Sequence, residues 1–302
     1  MKRPNFDLNI EVRENEILSK HSTFRIGGAA TFAVFPKDKA ELTSAITSIK
    51  ESGMKYKVIG HGSNVLFDDK GYEGAIIFTK YMNNVEYVHR ADETLIRVEC
   101  GRNLTELAGD VGKKHSLTGL EFAYGIPGSV GGAIYMNAGA YGGEMSDIVI
   151  ESEYYDTLNN SFVTLDAASH DFSYRHSIFH DHPEHIVIST LLKLKRGDAE
   201  EIFNLMNKNM SSRREKQPLE YPNAGSTFKR PAGHFAGKLI EDAELKGYTV
   251  GGAQVSEKHA GFLINRGGAT SRDVLELIEH IQNIVKEKYG VDLESEIIYI
   301  PY

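Results

Sequence analysis

Apolar positions along the chain alternate between strand-like clusters and helical spacing. Thr31–Phe35 is apolar and β-prone. Asp38-Lys39-Ala40-Glu41 has the form of a capping box, and Leu42, Ala45, Ile46 and Ile49 then share one helical face, with Gly53 as the stop. Tyr56–Ile59, Val65–Phe67 and Ala75–Thr79 read as strands, so the chain opens β-α-β-loop-β. Strand-like runs follow at Val85–Val88 and Leu95–Cys100. A helix from about Leu104 to Lys114 places Leu104, Leu107, Ala108 and Val111 on one side. Strands are expected again at Ile148–Tyr155, Phe162–Leu165 and Ile186–Leu194.

The pattern changes near Gly197. Helices are expected at Asp198–Lys216, Phe235–Leu245 and Ser271–Tyr289, with strands near Tyr248–Val255, Gly261–Asn265 and Ser295–Ile300. Val274, Leu277, Ile278, Ile281, Ile284 and Val285 line one side of the last helix, and Gly290 suits its end. The expected organisation is therefore residues 1–197 (in two lobes, about 1–80 and 81–197) and a C-terminal α+β domain, 198–302.

Composition narrows the function. With 41% hydrophobic and 25% charged residues, the chain has the means to fold. A net charge of -8 argues against a nucleic-acid partner, because phosphate backbones call for a basic face. It leaves room for a diphosphate held by backbone amides. Cys100 is the single cysteine, so no internal disulfide forms, as suits a reducing cytoplasm. The opening MKRPNFDLNIEVREN has no apolar core for a signal peptide, and no run reaches the roughly 20 apolar residues of a membrane helix. The expected location is cytoplasmic, with no membrane partner. The most apolar long segment, Phe122–Met136, carries Gly and Pro throughout and reads as loops.

Candidate chemistry lies mostly in loops. Gly60-His61-Gly62-Ser63-Asn64 lets backbone approach a ligand, but it lacks the third glycine and the following helix of a dinucleotide fingerprint. Taken alone it reads as a tight turn. Segment 125–143 holds seven glycines in nineteen residues, an entropic cost that points to a backbone surface wrapped around a diphosphate or flavin, with Ser129 and Asn137 adding side-chain hydrogen bonds. Arg175, in Tyr174-Arg175-His176-Ser177, has the planar fork to pair with a carboxylate, although an isolated Arg is more often solvated. Ser226, in Asn223-Ala224-Gly225-Ser226, does not match a hydrolase elbow and by itself reads as a turn serine. His176, His180, His182 and His185 match no helical metal motif and read as solvated loop histidines, so no metal site is expected. Arg213 and Arg214 suit a helix C-terminus, while Lys216, at the turn, is the better ligand candidate.

In combination these segments resemble a known family. GHGSNV (60–65), GLEFAYGIPGSVGGAIYMNAGAYGGE (119–144), YRHS (174–177), KQP with NAGS (216–218 and 223–226) and GHFAGKL (233–239) together resemble the UDP-N-acetylenolpyruvoylglucosamine reductases, the MurB family. The resemblance runs from about Phe24 to Ile300, and the short Arg175–Ser226 spacing looks like the compact subtype without an extra lid insertion. It implies an α+β fold: a two-lobed FAD-binding domain of the PCMH/vanillyl-alcohol-oxidase type, then a substrate-binding domain. It implies that Gly60, His61, Gly62, Ser63, Asn64, Val65, Ile126, Pro127, Gly128, Ser129, Gly132 and Ala133 hold FAD non-covalently. It assigns catalysis to Arg175, Ser226 and Glu296, the last in the final strand, and substrate contacts to Tyr141, Lys216, Arg230 and His259. Tyr124 stands where the family pattern has a smaller residue, and Arg230 and His259 stand at variable positions.

The implied reaction is reduction of UDP-N-acetylglucosamine enolpyruvate to UDP-N-acetylmuramate for peptidoglycan, by a monomer using NADPH. Hydride reaches the terminal alkene carbon, Arg175 and Glu296 steady the charge that develops on the conjugated carboxylate, and Ser226 gives a proton to the neighbouring carbon. Two other readings share the scaffold. One is a flavin oxidase of free sugars or alcohols, with FAD attached covalently through His61. The other is a UDP-sugar-binding protein without catalysis.

Overall fold

The computed structural model describes residues 3–90 and 93–302. The chain divides into two compact units. The first comprises residues up to Val12, Ala33–His61 and Ala75–Ser212; the second comprises Arg13–Phe32, Gly62–Gly74 and Arg213–Tyr302. The helices longer than a single turn of 3-10 geometry are α1 (Lys39–Glu51), α2 (Leu104–His115), α3 (Val130–Tyr135), α4 (Ile178–Asp181), α5 (Ala199–Lys216), α6 (Ala236–Asp242) and α7 (Ser271–Tyr289).

In the first unit, strand Tyr56–Ile59 pairs in parallel with Ala75–Phe78. α1 precedes them, opened by the Asp38 side chain, which accepts the Glu41 N–H. Its Leu42, Ala45, Ile46 and Ile49 are buried, as the helical spacing requires. Phe35 stacks on Phe78 with ring centroids 5.4 Å apart. The larger sheet is antiparallel, in the order Ser161–Asp166, Val149–Asp156, His185–Arg196, Glu93–Glu99 and Val85–His89. The short strand Leu117–Thr118 joins the far end of His185–Arg196.

The second unit centres on α7. Thr270 and Asp273 form a reciprocal capping box at its start, and Gly290 ends it with φ +70°. Val274, Leu277, Ile278, Ile281 and Val285 are buried against Leu239, Ile240, Val255, Leu263 and Phe24. Each fully buried side chain of this size contributes roughly 1.5–3 kcal/mol. The unit's antiparallel sheet runs Asn223–Ser226, Phe262–Asn265, Ala253–Val255, Thr249–Val250, and strand Val65–Phe67 pairs in parallel with Ile298–Ile300. Among the described residues no helix is long and apolar enough to cross a membrane.

Four local expectations are corrected. Phe122–Met136 is not all loop: Ser129 caps α3 by accepting the Gly132 N–H, so a glycine-rich run still makes a helical turn. Glu296 precedes the final strand, which begins at Ile298. Ser226 ends a short strand rather than sitting in a plain turn. The loop histidines are not simply solvated. The His180 ring packs on Tyr135 of α3 with centroids 3.9 Å apart, and His185, which opens a sheet strand, has its ring centroid 4.3 Å from that of Tyr154. Strand Glu11–Ile17, largely polar, has no counterpart in the apolar pattern.

Candidate active site

Two loops of the first unit form a glycine-lined cradle. Gly60 and His61 follow strand Tyr56–Ile59, and a Cβ on Gly60 would lie 2.1 Å from Ser129 Oγ. The His61 ring nitrogen Nε2 lies 3.0 Å from the Gly101 carbonyl, and burial pushes the imidazole below its usual pKa, so it is neutral at pH 7. The facing loop is fastened by main-chain bonds: Leu104 N–H to Gly128 O, Val130 N–H to Arg102 O, and Gly131 N–H to Cys100 O. Thr105 Oγ1 donates to the Ile126 carbonyl at 2.7 Å. A Cβ on Gly131 would meet Cys100 Cβ at 2.8 Å. Ser129 and Ala133 are buried, while Pro127 and Gly132 are exposed. Tyr124 packs over Gly109 of α2 and accepts a hydrogen bond from Lys113 Nζ at 2.9 Å.

Arg175 stands in the same unit, in a tight turn closed by mutual Ser173–His176 main-chain bonds. Its φ of +56° is a strained conformation for a non-glycine residue, of order 1 kcal/mol. The guanidinium donates to Gly139 O at 3.1 Å and lies over the Tyr174 ring. Gly139–Ala140 and Gly143–Glu144 form a small hairpin with Tyr141 at its exposed tip. Buried Asn137 ties these parts together: its Nδ2 donates to Glu144 Oε1 and to Ser173 O, and its Oδ1 accepts the Ser146 N–H.

The second unit assembles Ser226, Glu296 and Gly62–Val65. Thr227 O accepts the Glu296 N–H at 2.8 Å, so the residue after Ser226 is pinned to Glu296. Asn64 Nδ2 donates to Glu296 O at 3.0 Å, and Asn64 O accepts the Ile298 N–H. Thr23 Oγ1 donates to Asn223 O at 2.7 Å, and Thr23 N–H donates to Gly62 O. Gly62 has φ +66°, and a Cβ there would lie 2.1 Å from the His21 carbonyl. Asn223 Oδ1 accepts the Gly225 N–H and shapes the turn before Ser226. Thr23 is not singled out by the sequence, and Asn223 enters there only as part of the Asn223–Ser226 segment. Their partners are set by the fold, although an amide two residues before a glycine, as at Asn223, is a turn signal that could have found one of them.

The remaining predicted contacts sit on these scaffolds. Lys216 is the last residue of α5, and the Arg230 guanidinium lies 4.3 Å from the Phe235 ring centroid. The His259 Nδ1 accepts the Gly261 N–H, and burial lowers the pKa of this ring too. Among the described residues, Ser226 and Glu296 are thus brought together in one unit, and Arg175 and Tyr141 in the other.

Comparison with known proteins places these features. Residues 30–164 match the FAD binding domain family. The residues present fit that cofactor: Gly60 and Gly62 stand where a Cβ would clash, so only bare backbone lines these turns, and the Ser129 hydroxyl adds a neutral polar group, a lining that suits a diphosphate. Residues 217–300 match the UDP-N-acetylenolpyruvoylglucosamine reductase C-terminal domain. The chain is 48% identical over 283 residues (94% of this chain, 91% of the relative) to a UDP-N-acetylenolpyruvoylglucosamine reductase of Caldanaerobacter subterraneus subsp. tengcongensis. It is 47% identical to the one from Caldicellulosiruptor saccharolyticus, covering 97% of this chain and 93% of that one. The crystal structure of the reductase from Thermus caldophilus superposes with a TM-score of 0.80 at 32% identity, covering 97% of this chain and 99% of that one. With its FAD-binding domain, its reductase C-terminal domain and relatives alike over nearly their whole length, the chain belongs to the UDP-N-acetylenolpyruvoylglucosamine reductase family.

Proposed function

We propose that the protein reduces UDP-N-acetylglucosamine enolpyruvate to UDP-N-acetylmuramate with NADPH as electron donor, in the cytoplasmic synthesis of peptidoglycan precursors. The observation that carries this reading is the pinning of Ser226 and Glu296 to one another through Thr227, with Asn64 of the glycine loop holding the other side of Glu296. These main-chain bonds support a reading in which Ser226 serves as the acid and Glu296 as the charge-stabilising carboxyl, in a chain of this family.

FAD, when bound, supplies the hydride. Gly60, His61, Gly62, Ser63, Asn64, Val65, Ile126, Pro127, Gly128, Ser129, Gly132 and Ala133 hold it non-covalently. The contact of His61 Nε2 with the Gly101 carbonyl argues against a covalent attachment there. Arg175 meets the substrate carboxylate, whose charge grows as the terminal alkene carbon accepts hydride. Preorganised charge of this kind is usually the largest catalytic contribution. Glu296 hydrogen-bonds the same region. Ser226 delivers the proton to the adjacent carbon, which completes the saturated ether. Tyr141, Lys216, Arg230 and His259 contact the UDP-sugar. The cofactor part extends over residues 1–197 and the substrate part over 198–302, acting as a monomer.

Half-reactions test this reading. Ser226→Ala is expected to keep flavin reduction by NADPH and to lose roughly 10²–10⁴-fold in reduction of the sugar, the usual worth of a positioned acid. A second half-reaction at the normal rate would remove Ser226 from the mechanism.

A further inference from the structure

His182, Glu184 and His185 converge at one end of the large sheet. His182 closes α4, Pro183 follows, and His185 begins the strand that pairs with Val149–Asp156. Three main-chain bonds fix the backbone here: His182 N–H to Ile178 O, His185 N–H to His182 O, and Thr157 N–H to Glu184 O. Glu184 Oε1 lies 3.0 Å from His182 Nδ1 and 3.8 Å from His185 Nε2. The donor atoms all lie within 4.8 Å of one another. The imidazoles stack with centroids 4.8 Å apart and planes 18° apart.

A tetrahedral zinc with bonds of about 2.0–2.1 Å spans donors that are about 3.3 Å apart. The two distances to Glu184 bracket that edge. The third edge closes by rotation of His182, whose side chain is 44% exposed. Asp156 Oδ2 faces His185 Nε2 at 3.8 Å and brings a second carboxylate, although it also accepts a hydrogen bond from Asn159 Nδ2. Two imidazoles and a carboxylate are the donor set of a first-row transition-metal dication, with water completing the shell. The spacing His-Pro-Glu-His matches no helical motif, since its donors meet only because a single-turn helix and a strand start flank them.

We infer that His182, Glu184 and His185 form a binding site for a divalent transition metal, separate from the residues assigned to the reduction. The site clips the loop after α4 to the sheet. A second cluster, Asp171, His176 and Asp181, offers one imidazole and two exposed carboxylates and is the weaker donor set.

The test uses tag-free, flavin-loaded, chelator-treated protein titrated with zinc chloride by calorimetry, and with cobalt(II) followed by visible absorption. One saturable zinc per chain is expected, with a cobalt spectrum that contains imidazole ligands. His182→Ala and Glu184→Gln should each weaken binding at least tenfold by mass action on a three-donor site. Asp171→Asn should leave it unchanged. His182 is half exposed, so its loss leaves the fold intact, and unaltered flavin content and circular dichroism verify this. Absence of saturable binding, binding unchanged in His182→Ala, or binding removed by Asp171→Asn would overturn the assignment.

Discussion

Arg175 combines a left-handed backbone with a guanidinium held by Gly139 O and the Tyr174 ring. Such strain persists where surrounding bonds over-determine it, and Asn137 supplies those bonds from below. Arg175→Ala is expected to cost about 3 kcal/mol of transition-state stabilisation in kcat/KM for the sugar, with NADPH oxidation by the flavin little changed. Arg175→Lys should recover only a part, because an ammonium lacks the bidentate fork. Steady-state kinetics of both variants decide it, and a near-native rate in Arg175→Ala would count against the role. At this scale the sequence was readable by residue type: a fork for a carboxylate, a hydroxyl after Gly225, glycines where a Cβ would clash. It did not show that Ser226 closes a short strand with an irregular register, or that Asn64 reaches Glu296, 232 positions away in the chain.

Elements with both periodicity and caps were legible to within a residue or two. α7 runs from Ser271 to Tyr289 as expected, because its apolar stripe, Thr270 cap and Gly290 stop all agree. α3 was missed because glycine depresses helix propensity, and Ser129 outweighs that only once its Oγ accepts the Gly132 N–H. Strand Glu11–Ile17 was missed because it is polar on most of its length. Thr270→Ala removes the acceptor for the Asp273 N–H and is expected to lower unfolding free energy by about 1 kcal/mol. Urea denaturation with an unchanged slope and a lower midpoint checks this, and an unmoved midpoint would contradict it.

On the scale of the whole molecule, burial holds His61, His170 and His259 below the ordinary imidazole pKa. Above the unfolded value of about 6.5 both states are neutral, and these rings impose no penalty. Below it the unfolded chain takes up protons that the folded chain refuses, so stability falls as pH falls. The slope is at most about 1.4 kcal/mol per pH unit for each ring. Asp156 and Asp166, lowered chiefly by hydrogen bonds from Asn159 and Ser169, add their loss only in the carboxylate range, further into acid. The thermal midpoint should therefore begin to drop between pH 6.5 and about 5.5, before carboxylates protonate. A flat midpoint over that interval would contradict the assignment.

The two-unit division was only partly legible. Segments Arg13–Phe32 and Gly62–Gly74 lie with the C-terminal residues in the second unit, and no local pattern marks such a long-range exchange. The most direct measurement follows NADPH absorbance in the presence of purified, flavin-loaded protein, with and without UDP-N-acetylglucosamine enolpyruvate. Rapid NADPH loss that requires the sugar, with one UDP-N-acetylmuramate formed per NADPH consumed, is the expected result. NADPH loss indifferent to the sugar, or a protein that takes up no flavin, would contradict the account.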